Sequence, residues 1–163
     1  MTPADLQYLR RAIALSGAAR RNGKHPFAAI VVAADGSVLS EAGNNSLPPA
    51  GDPTQHAEIR AAQMATRAAA PEVLAAATLY SSAEPCAMCS GAIYWCGIGR
   101  VVYALSEESL LRLTGDHPEN PTVSLPCREV FARGQRKVEV LGPALEEEAS
   151  VAHLGFWLRA PTS

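Results

Sequence analysis

The chain has 163 residues, the size of a single domain. Hydrophobic residues make up 48% of it and charged residues 18%, which excludes a disordered chain because such chains are poor in apolar residues. Fourteen basic and sixteen acidic side chains give a net charge of -2. This balance argues against a protein built to bind phosphate backbones, which usually carries a positive excess.

The N-terminal segment does not have the pattern of a secretion signal. Asp5, Arg10 and Arg11 interrupt each of its apolar stretches. No segment of the chain approaches the roughly 20 apolar residues of a membrane span. We therefore expect a soluble, cytoplasmic protein with no membrane partner.

Segments rich in turn residues separate predicted helices from predicted strands. Thr2 and Pro3 are typical of a helix start, and Asp35-Gly36 between two apolar runs indicates a hairpin. In chain order we predict a helix over 3–21, strands over 27–33 and 38–42, a helix from Thr54 to about 70, a strand over 78–81, a helix from 86 to about 96, a strand over 101–103, a helix over 107–113 capped by Ser106, a mostly irregular stretch over 114–136, a strand over 138–141 and a final helix from Pro143 to about 158. This alternation predicts one α/β domain over 1–163, a three-layer α/β/α sandwich with helices on both faces of a sheet.

Candidate metal ligands occur in two short segments, and each lies where a loop enters a predicted helix. The segments are His56-Ala57-Glu58 and Pro85-Cys86-Ala87-Met88-Cys89. Cysteines three residues apart at a helix start lie on one face, and the helix N-terminus favours the thiolate. Together with an imidazole nitrogen they form a donor set that suits Zn²⁺. Three protein ligands leave the fourth tetrahedral position for water, which is typical of a catalytic zinc site.

Glu58 is the predicted catalytic acid and base. It lies two residues from His56 on a predicted helix, so its side chain points away from the direction of the histidine. It is therefore free to exchange protons with water and substrate. An H-x-E segment followed by P-C-x-x-C, with a glutamate that is not a ligand, is the signature of zinc-dependent nucleobase deaminases.

Two other interpretations of the cysteines are a structural zinc site and a redox pair. A structural site needs a fourth ligand, which Cys96, Cys127 or His25 could supply. Structural zinc usually rescues small domains with poor cores, whereas this chain is rich in apolar residues. We therefore favour the catalytic interpretation and expect Cys96 and Cys127 to behave as small buried apolar residues.

From the first helix to about Leu105 the chain resembles the cytidine deaminase superfamily. Within it, the chain is most similar to the branch that contains guanine deaminases, plant guanosine deaminases and tRNA adenosine deaminases. Besides the two metal segments, the resemblance rests on residues 25–30, 43–45 and 91–95. It implies a five-stranded mixed sheet between helices, one zinc ion per subunit and a homodimer.

The resemblance also implies substrate contacts. Asn44 corresponds to an asparagine that binds the substrate edge, and Phe27 and Ala57 are expected beside it. Further candidates are Asn45, His25, Ala29, Glu84, Trp95 and Asp116.

Three of these candidates have a second interpretation. Asn45 either shares the substrate role or caps its own loop, and His25 either lines the pocket mouth or is a polar loop residue. For Trp95 we expect core packing rather than a place at a dimer interface or against substrate. Asp116 is our loose placement of the acidic residue with which guanine deaminases move protons.

The chain differs from the family at one position in its first two thirds and more widely in its last third. Ala28 replaces a glycine of the family, and similarity fades after Leu105. Guanine deaminases cover an active site with their C-terminal segment, and here residues 143–163 would have that position.

The predicted reaction is the hydrolytic deamination of a purine base or nucleoside, with guanine, converted to xanthine and ammonia, favoured. The alternatives are a tRNA adenosine deaminase and a deaminase of another nucleobase or an aminotriazine. A basic cluster at Arg128, Arg133, Arg136 and Lys137 is the feature that best fits an RNA substrate. A solvated surface is the commoner explanation of such a cluster.

Overall fold

A five-stranded sheet forms the centre of the computed structural model, which describes residues 1–158. The elements in chain order are α1 (Pro3–Arg21), β1 (Ala28–Val32), β2 (Val38–Gly43), α2 (Ala57–Ala68), α3 (Pro71–Ala75), β3 (Thr78–Ala83), α4 (Ala87–Trp95), β4 (Arg100–Leu105), α5 (Glu107–Thr114), α6 (Cys127–Ala132), β5 (Glu139–Leu141), α7 (Glu146–Ser150) and a 3₁₀-helix (Phe156–Leu158). None of the helices in this described part is both long and apolar enough to cross a membrane.

The sheet is mixed, with strand order β2-β1-β3-β4-β5. Strand β1 runs antiparallel to both β2 and β3, whereas β3, β4 and β5 run parallel to one another. The hairpin predicted at Asp35-Gly36 joins β1 to β2, and Gly36 has a φ of 87°, a conformation that favours glycine. The expected five-stranded mixed sheet is confirmed.

Helices cover both faces of the sheet, so its central strands β1 and β3 are buried along their whole length. Alternate residues of β1 point to opposite faces: Ala29 and Val31 pack in the core beneath α2 and α4, and Ile30 and Val32 pack beneath α1. The predicted three-layer α/β/α sandwich is confirmed.

Two predictions about helices were wrong. The second long helix begins at Ala57 rather than at Thr54, because Asp52 accepts hydrogen bonds from the backbone and hydroxyl of Thr54 and holds that residue in a turn. The final helix does not begin at Pro143. The stretch 114–136 is mostly irregular, as predicted, and contains the six-residue helix α6.

The C-terminal segment forms only α7 and the 3₁₀-helix because its backbone turns twice. Leu145 has a φ of 59° and Gly155 a φ of 71°, both in the left-handed region, which an α-helix cannot include. The described part of the predicted segment ends at residue 158, and residues 159–163 lie outside it.

A buried ion pair joins the first helix to the sheet. Asp5, which is 2% exposed, accepts hydrogen bonds of 2.7 and 2.9 Å from the guanidinium of Arg100 and one of 2.8 Å from the Tyr80 hydroxyl. The Arg100 guanidinium holds the pKa of the Asp5 carboxyl well below its usual range. The charge of Asp5 is therefore part of what attaches α1 to β3 and β4.

We predict that Asp5→Asn lowers the free energy of unfolding by about 3 kcal/mol, since it leaves a partly buried guanidinium without its charged partner. Glu139 also binds Arg100 but is 57% exposed. The control Glu139→Gln should therefore cost less than about 1 kcal/mol. Urea unfolding measures both variants, and equal losses would contradict the importance of Asp5.

Candidate active site

The three predicted metal ligands meet where two helices begin. His56 is the N-cap of α2, Cys86 is the N-cap of α4, and Cys89 lies in the first turn of α4. The Nδ1 atom of His56 is 3.7 Å from Cys86 Sγ and 3.5 Å from Cys89 Sγ, and all three donor atoms lie within 4.8 Å of one another. A tetrahedral zinc ion with ordinary bond lengths separates its nitrogen and sulfur ligands by about 3.6 Å. The donor set therefore fits zinc.

The electrostatics of the two cysteines favour a thiolate. Hydrogen bonding from Cys89 lowers the pKa of Cys86 to about 4, against an opposing effect of burial, and His56 also contributes to the lowering. The hydrogen bond to Cys86 and burial raise the pKa of Cys89. A charged sulfur at Cys86, at the N-terminus of α4, is the form that binds a metal ion.

Glu58 lies beside the metal ligands in the first turn of α2. Its side chain is buried; Oε1 accepts a hydrogen bond of 3.2 Å from the Ser81 hydroxyl, and Oε2 is 3.6 Å from Cys89 Sγ. Burial raises the pKa of the Glu58 carboxyl. The carboxyl group is thus held next to the metal position in an environment that favours proton exchange.

A cavity of about 540 Å³ opens from these residues. His56, Cys86 and Glu58 form part of its wall. Of the predicted substrate residues, four line it: His25, Phe27, Asn44 and Glu84. Glu84 also holds α5 and α6 in place, because its carboxylate accepts hydrogen bonds from the backbone N–H groups of Glu107 and Cys127.

Five other predicted site residues are not part of that cavity wall. Ala29 is buried in the core beneath α2, Ala57 is buried at the start of α2, and Asn45 holds its own loop by donating hydrogen bonds to the Ala50 carbonyl and the Gln55 side chain. Asp116 is exposed. Trp95 is 85% exposed, so the expectation that it packs in the core was wrong.

Two acidic residues that sequence reasoning did not single out line the cavity, Glu107 and Glu119. Glu107 begins α5, and burial, together with Cys86 and Glu84, raises its pKa to about 7. Glu119 lies in the loop after α5, three residues beyond Asp116. This loop has no periodicity from which the direction of a side chain could be predicted. Two flanking prolines, at 118 and 121, are the only local signal of a fixed loop conformation.

The C-terminal segment packs against two residues of the cavity wall, Phe27 and His25. The ring of Phe27 lies 5.1 Å from that of His153 and 6.1 Å from that of Trp157, measured between centroids. Trp157 also lies 5.1 Å from His25. Phe156 and Trp157 are both buried. The segment through residue 158 thus packs against the residues that line the cavity.

The fold and the donor set together define a zinc-dependent deaminase. The family model for the cytidine and deoxycytidylate deaminase zinc-binding region matches residues 2–105. The chain therefore belongs to the cytidine and deoxycytidylate deaminase family, and His56, Cys86 and Cys89 are the zinc ligands typical of it. Cys96 and Cys127 lie outside this cluster.

Three relatives illustrate the range of the similarity. A probable cytosine deaminase of Schizosaccharomyces pombe is 45% identical over 157 residues, which cover 96% of this chain and 94% of the relative. The guanine deaminase of Bacillus subtilis is 40% identical over 98 residues, covering 60% of this chain and 62% of that one. The solved structure of a guanine deaminase from Nitrosomonas europaea superposes with a TM-score of 0.76 at 25% identity, covering 97% of this chain and 86% of that chain.

We predict that the purified protein contains one zinc ion per chain and that Cys89→Ser loses most of it, because an uncharged hydroxyl is a poor zinc ligand. The control Cys96→Ser should retain one zinc ion per chain. Elemental analysis after dialysis measures both variants. Zinc loss from Cys96→Ser would instead show that this cysteine takes part in a structural site.

Proposed function

We propose that the protein hydrolyses the exocyclic amino group of a free nucleobase and releases ammonia, with guanine the first candidate substrate. The observation that carries the proposal is the position of Glu58. A buried carboxyl group that is not a metal ligand lies beside three zinc ligands, at the wall of a cavity large enough for a purine.

The proposed reaction adds water to the amino-bearing ring carbon of the base and then removes ammonia from it. Zinc, when bound, supplies the Lewis acidity that activates the attacking water. Glu58 accepts one proton from the water as the C–O bond forms and delivers it to the ring nitrogen, and it then carries the second proton from the new hydroxyl group to the leaving amine. The C–N bond breaks, ammonia leaves, and a carbonyl group replaces the amino group.

Asn44 presents a hydrogen-bond donor to the substrate. Its Oδ1 accepts hydrogen bonds from the backbone N–H of Ser46 at 2.8 Å and from the Ser46 hydroxyl at 2.7 Å. Because a backbone N–H can only donate, the atom it meets must be the amide oxygen. The amide nitrogen of Asn44 is thus left to bind an acceptor, such as the ring carbonyl of guanine.

The charge of the cavity supports a free base over a nucleotide or tRNA. Among residues 1–158 no lysine or arginine lines the cavity, whereas Glu107 and Glu119 do. Two members of the predicted basic cluster are used within the protein: Arg136 donates to the carbonyls of residues 94 and 98, and Arg128 to those of residues 140 and 142. A phosphate group would find no cationic partner in this wall.

Cytosine is the second candidate substrate. The relative from S. pombe, which aligns over nearly the whole of both chains, favours it. Cytosine shares with guanine an amino-bearing carbon in an amidine and a ring carbonyl that can accept a hydrogen bond. The amide of Asn44 and the carboxyl group of Glu58 therefore suit both bases.

We predict that the zinc-loaded protein releases ammonia from guanine faster than from cytosine, guanosine, cytidine, adenine, adenosine or a tRNA pool. Glu58→Gln should lower turnover by at least about 10²-fold while keeping its zinc, because the amide cannot accept the proton. The control Glu108→Gln alters an exposed carboxylate and should keep full activity. Turnover of tRNA alone would contradict the proposal, and cytosine as the faster base would assign the second candidate.

We also propose that the protein is a homodimer that buries the outer face of α4. Trp95 is 85% exposed and Met88, two turns before it on the same helix, is 40% exposed. A large exposed indole beside other apolar surface is typical of protein interfaces. Trp95→Ala should lower the mass from two chains to one in sedimentation equilibrium, whereas the control Leu158→Ala should not. A monomeric wild-type protein would contradict the dimer.

A further inference from the structure

We propose that His25 is a positioning residue for deamination, because its imidazole joins Asn44 and Glu119 in one chain of hydrogen bonds along the cavity wall. The inference rests on the proposed function, since it concerns groups that would face the substrate. Neither the metal segments nor Glu58 takes part in this chain of bonds.

Four side chains form the hydrogen-bonded chain. The Nε2 atom of His25 is 2.8 Å from Oε2 of Glu119, and its Nδ1 atom is 3.2 Å from the hydroxyl oxygen of Ser46. The same hydroxyl is 2.7 Å from Oδ1 of Asn44. All four residues line the cavity. Two segments far apart in sequence, 25–46 and the loop that carries Glu119, are thereby joined at the site.

The direction of each hydrogen bond follows from counting hydrogen atoms. Oδ1 of Asn44 is an acceptor, since it already accepts the backbone N–H of Ser46. The hydroxyl of Ser46 must then donate its single hydrogen to Asn44, because two acceptor oxygens 2.7 Å apart would repel each other. The oxygen of Ser46 can therefore only accept from His25, and Nδ1 of His25 carries a hydrogen.

The contact between His25 and Glu119 consequently holds one shared proton. With Nδ1 already protonated, the 2.8 Å contact joins either an imidazolium to a carboxylate or a neutral imidazole to a carboxylic acid. Both arrangements contain the same number of protons. Glu119, which lines the cavity, is thus held next to a shared proton.

Aromatic packing fixes the His25 ring in the plane that these bonds require. His25 is 4% exposed, and its ring centroid lies 5.1 Å from that of Trp157, 6.0 Å from that of Phe156 and 6.5 Å from that of Phe27. A ring surrounded in this way cannot turn to follow a moving partner. His25 therefore imposes one geometry on Asn44 and Glu119 rather than adapting to them.

Three substitutions at this position separate packing from hydrogen bonding. His25→Phe keeps an aromatic ring and removes both nitrogens. In His25→Gln the side-chain amide reaches the position of Nε2 and can donate to Glu119. In His25→Asn the amide reaches the position of Nδ1 and can donate to Ser46. Each amide variant therefore restores one half of the chain of bonds.

Steady-state kinetics on the base that the wild type deaminates tests the positioning role. His25→Phe should lower kcat/KM by about 10²-fold, the cost of misplacing reacting groups. His25→Gln should recover kcat with KM still raised, because Glu119 is positioned and Asn44 is not. His25→Asn should recover KM with kcat still low. Wild-type values in His25→Phe, or equal losses in all three variants, would overturn the proposal.

A second readout needs no turnover, so a failure of the proposed function can be told apart from a failure of this inference. Nitrogen NMR of the zinc-loaded protein labelled at its four histidines reports which ring nitrogens carry hydrogen, with His25→Phe identifying the His25 signals. Nδ1 of His25 should be protonated, and Ser46→Ala should shift its signal. An Nδ1 without hydrogen would overturn the proposal even if the enzyme deaminates a nucleobase.

Discussion

The site depends on two helix N-termini that meet at the carboxyl end of the central strand β3. Helices α2 and α4 pack against each other on one face, and α4 follows β3 after a short loop at the carboxyl end of that strand. This arrangement brings the first turn of each helix to one point, where His56 meets Cys86 and Cys89. Backbone N–H groups and the helix dipoles favour negative charge there, so the fold itself stabilises the thiolate that zinc requires.

The same convergence determines what surrounds the metal position. Glu58 follows His56 by two residues in the first turn of α2, and this spacing keeps it near the metal while its carboxyl group binds the Ser81 hydroxyl on β3. Opposite these groups, the cavity is closed by segments outside the two metal helices. They are the end of the first hairpin, which carries Asn44, and the loop after α5, which carries Glu119. In the proposed function, the metal helices supply the hydrolytic groups, and the other segments hold the residues that orient the base.

The site residues that could be predicted are those with a neighbour in the site that is also near them in sequence. His56, Cys86 and Cys89 lie in two short motifs at helix starts, where residue spacing sets side-chain direction, and they were predicted correctly as metal ligands. Glu58 lies beside them. Glu119 lines the cavity but was not predicted, whereas Asp116, which was, is exposed, because an irregular loop gives no rule for which of its side chains faces inward.

Contacts between distant residues were the least predictable features. The hydrogen bond between His25 and Glu119 joins residues 94 positions apart, and no local sequence pattern predicts it. The exposure of Trp95 was likewise missed, since an aromatic residue on a short, largely apolar helix is normally taken for core. The sheet and its layers were predictable because alternation of apolar strands and helices has few stable solutions.

X-ray absorption at the zinc edge is the most direct test that this is a catalytic zinc site with three protein ligands. We predict two sulfur atoms at about 2.3 Å and two nitrogen or oxygen atoms at about 2.0–2.1 Å, one of them from the imidazole of His56. That result leaves one position for water beside Glu58. Three or four sulfur atoms would contradict it, because Cys96 or Cys127 would then complete a closed, structural site.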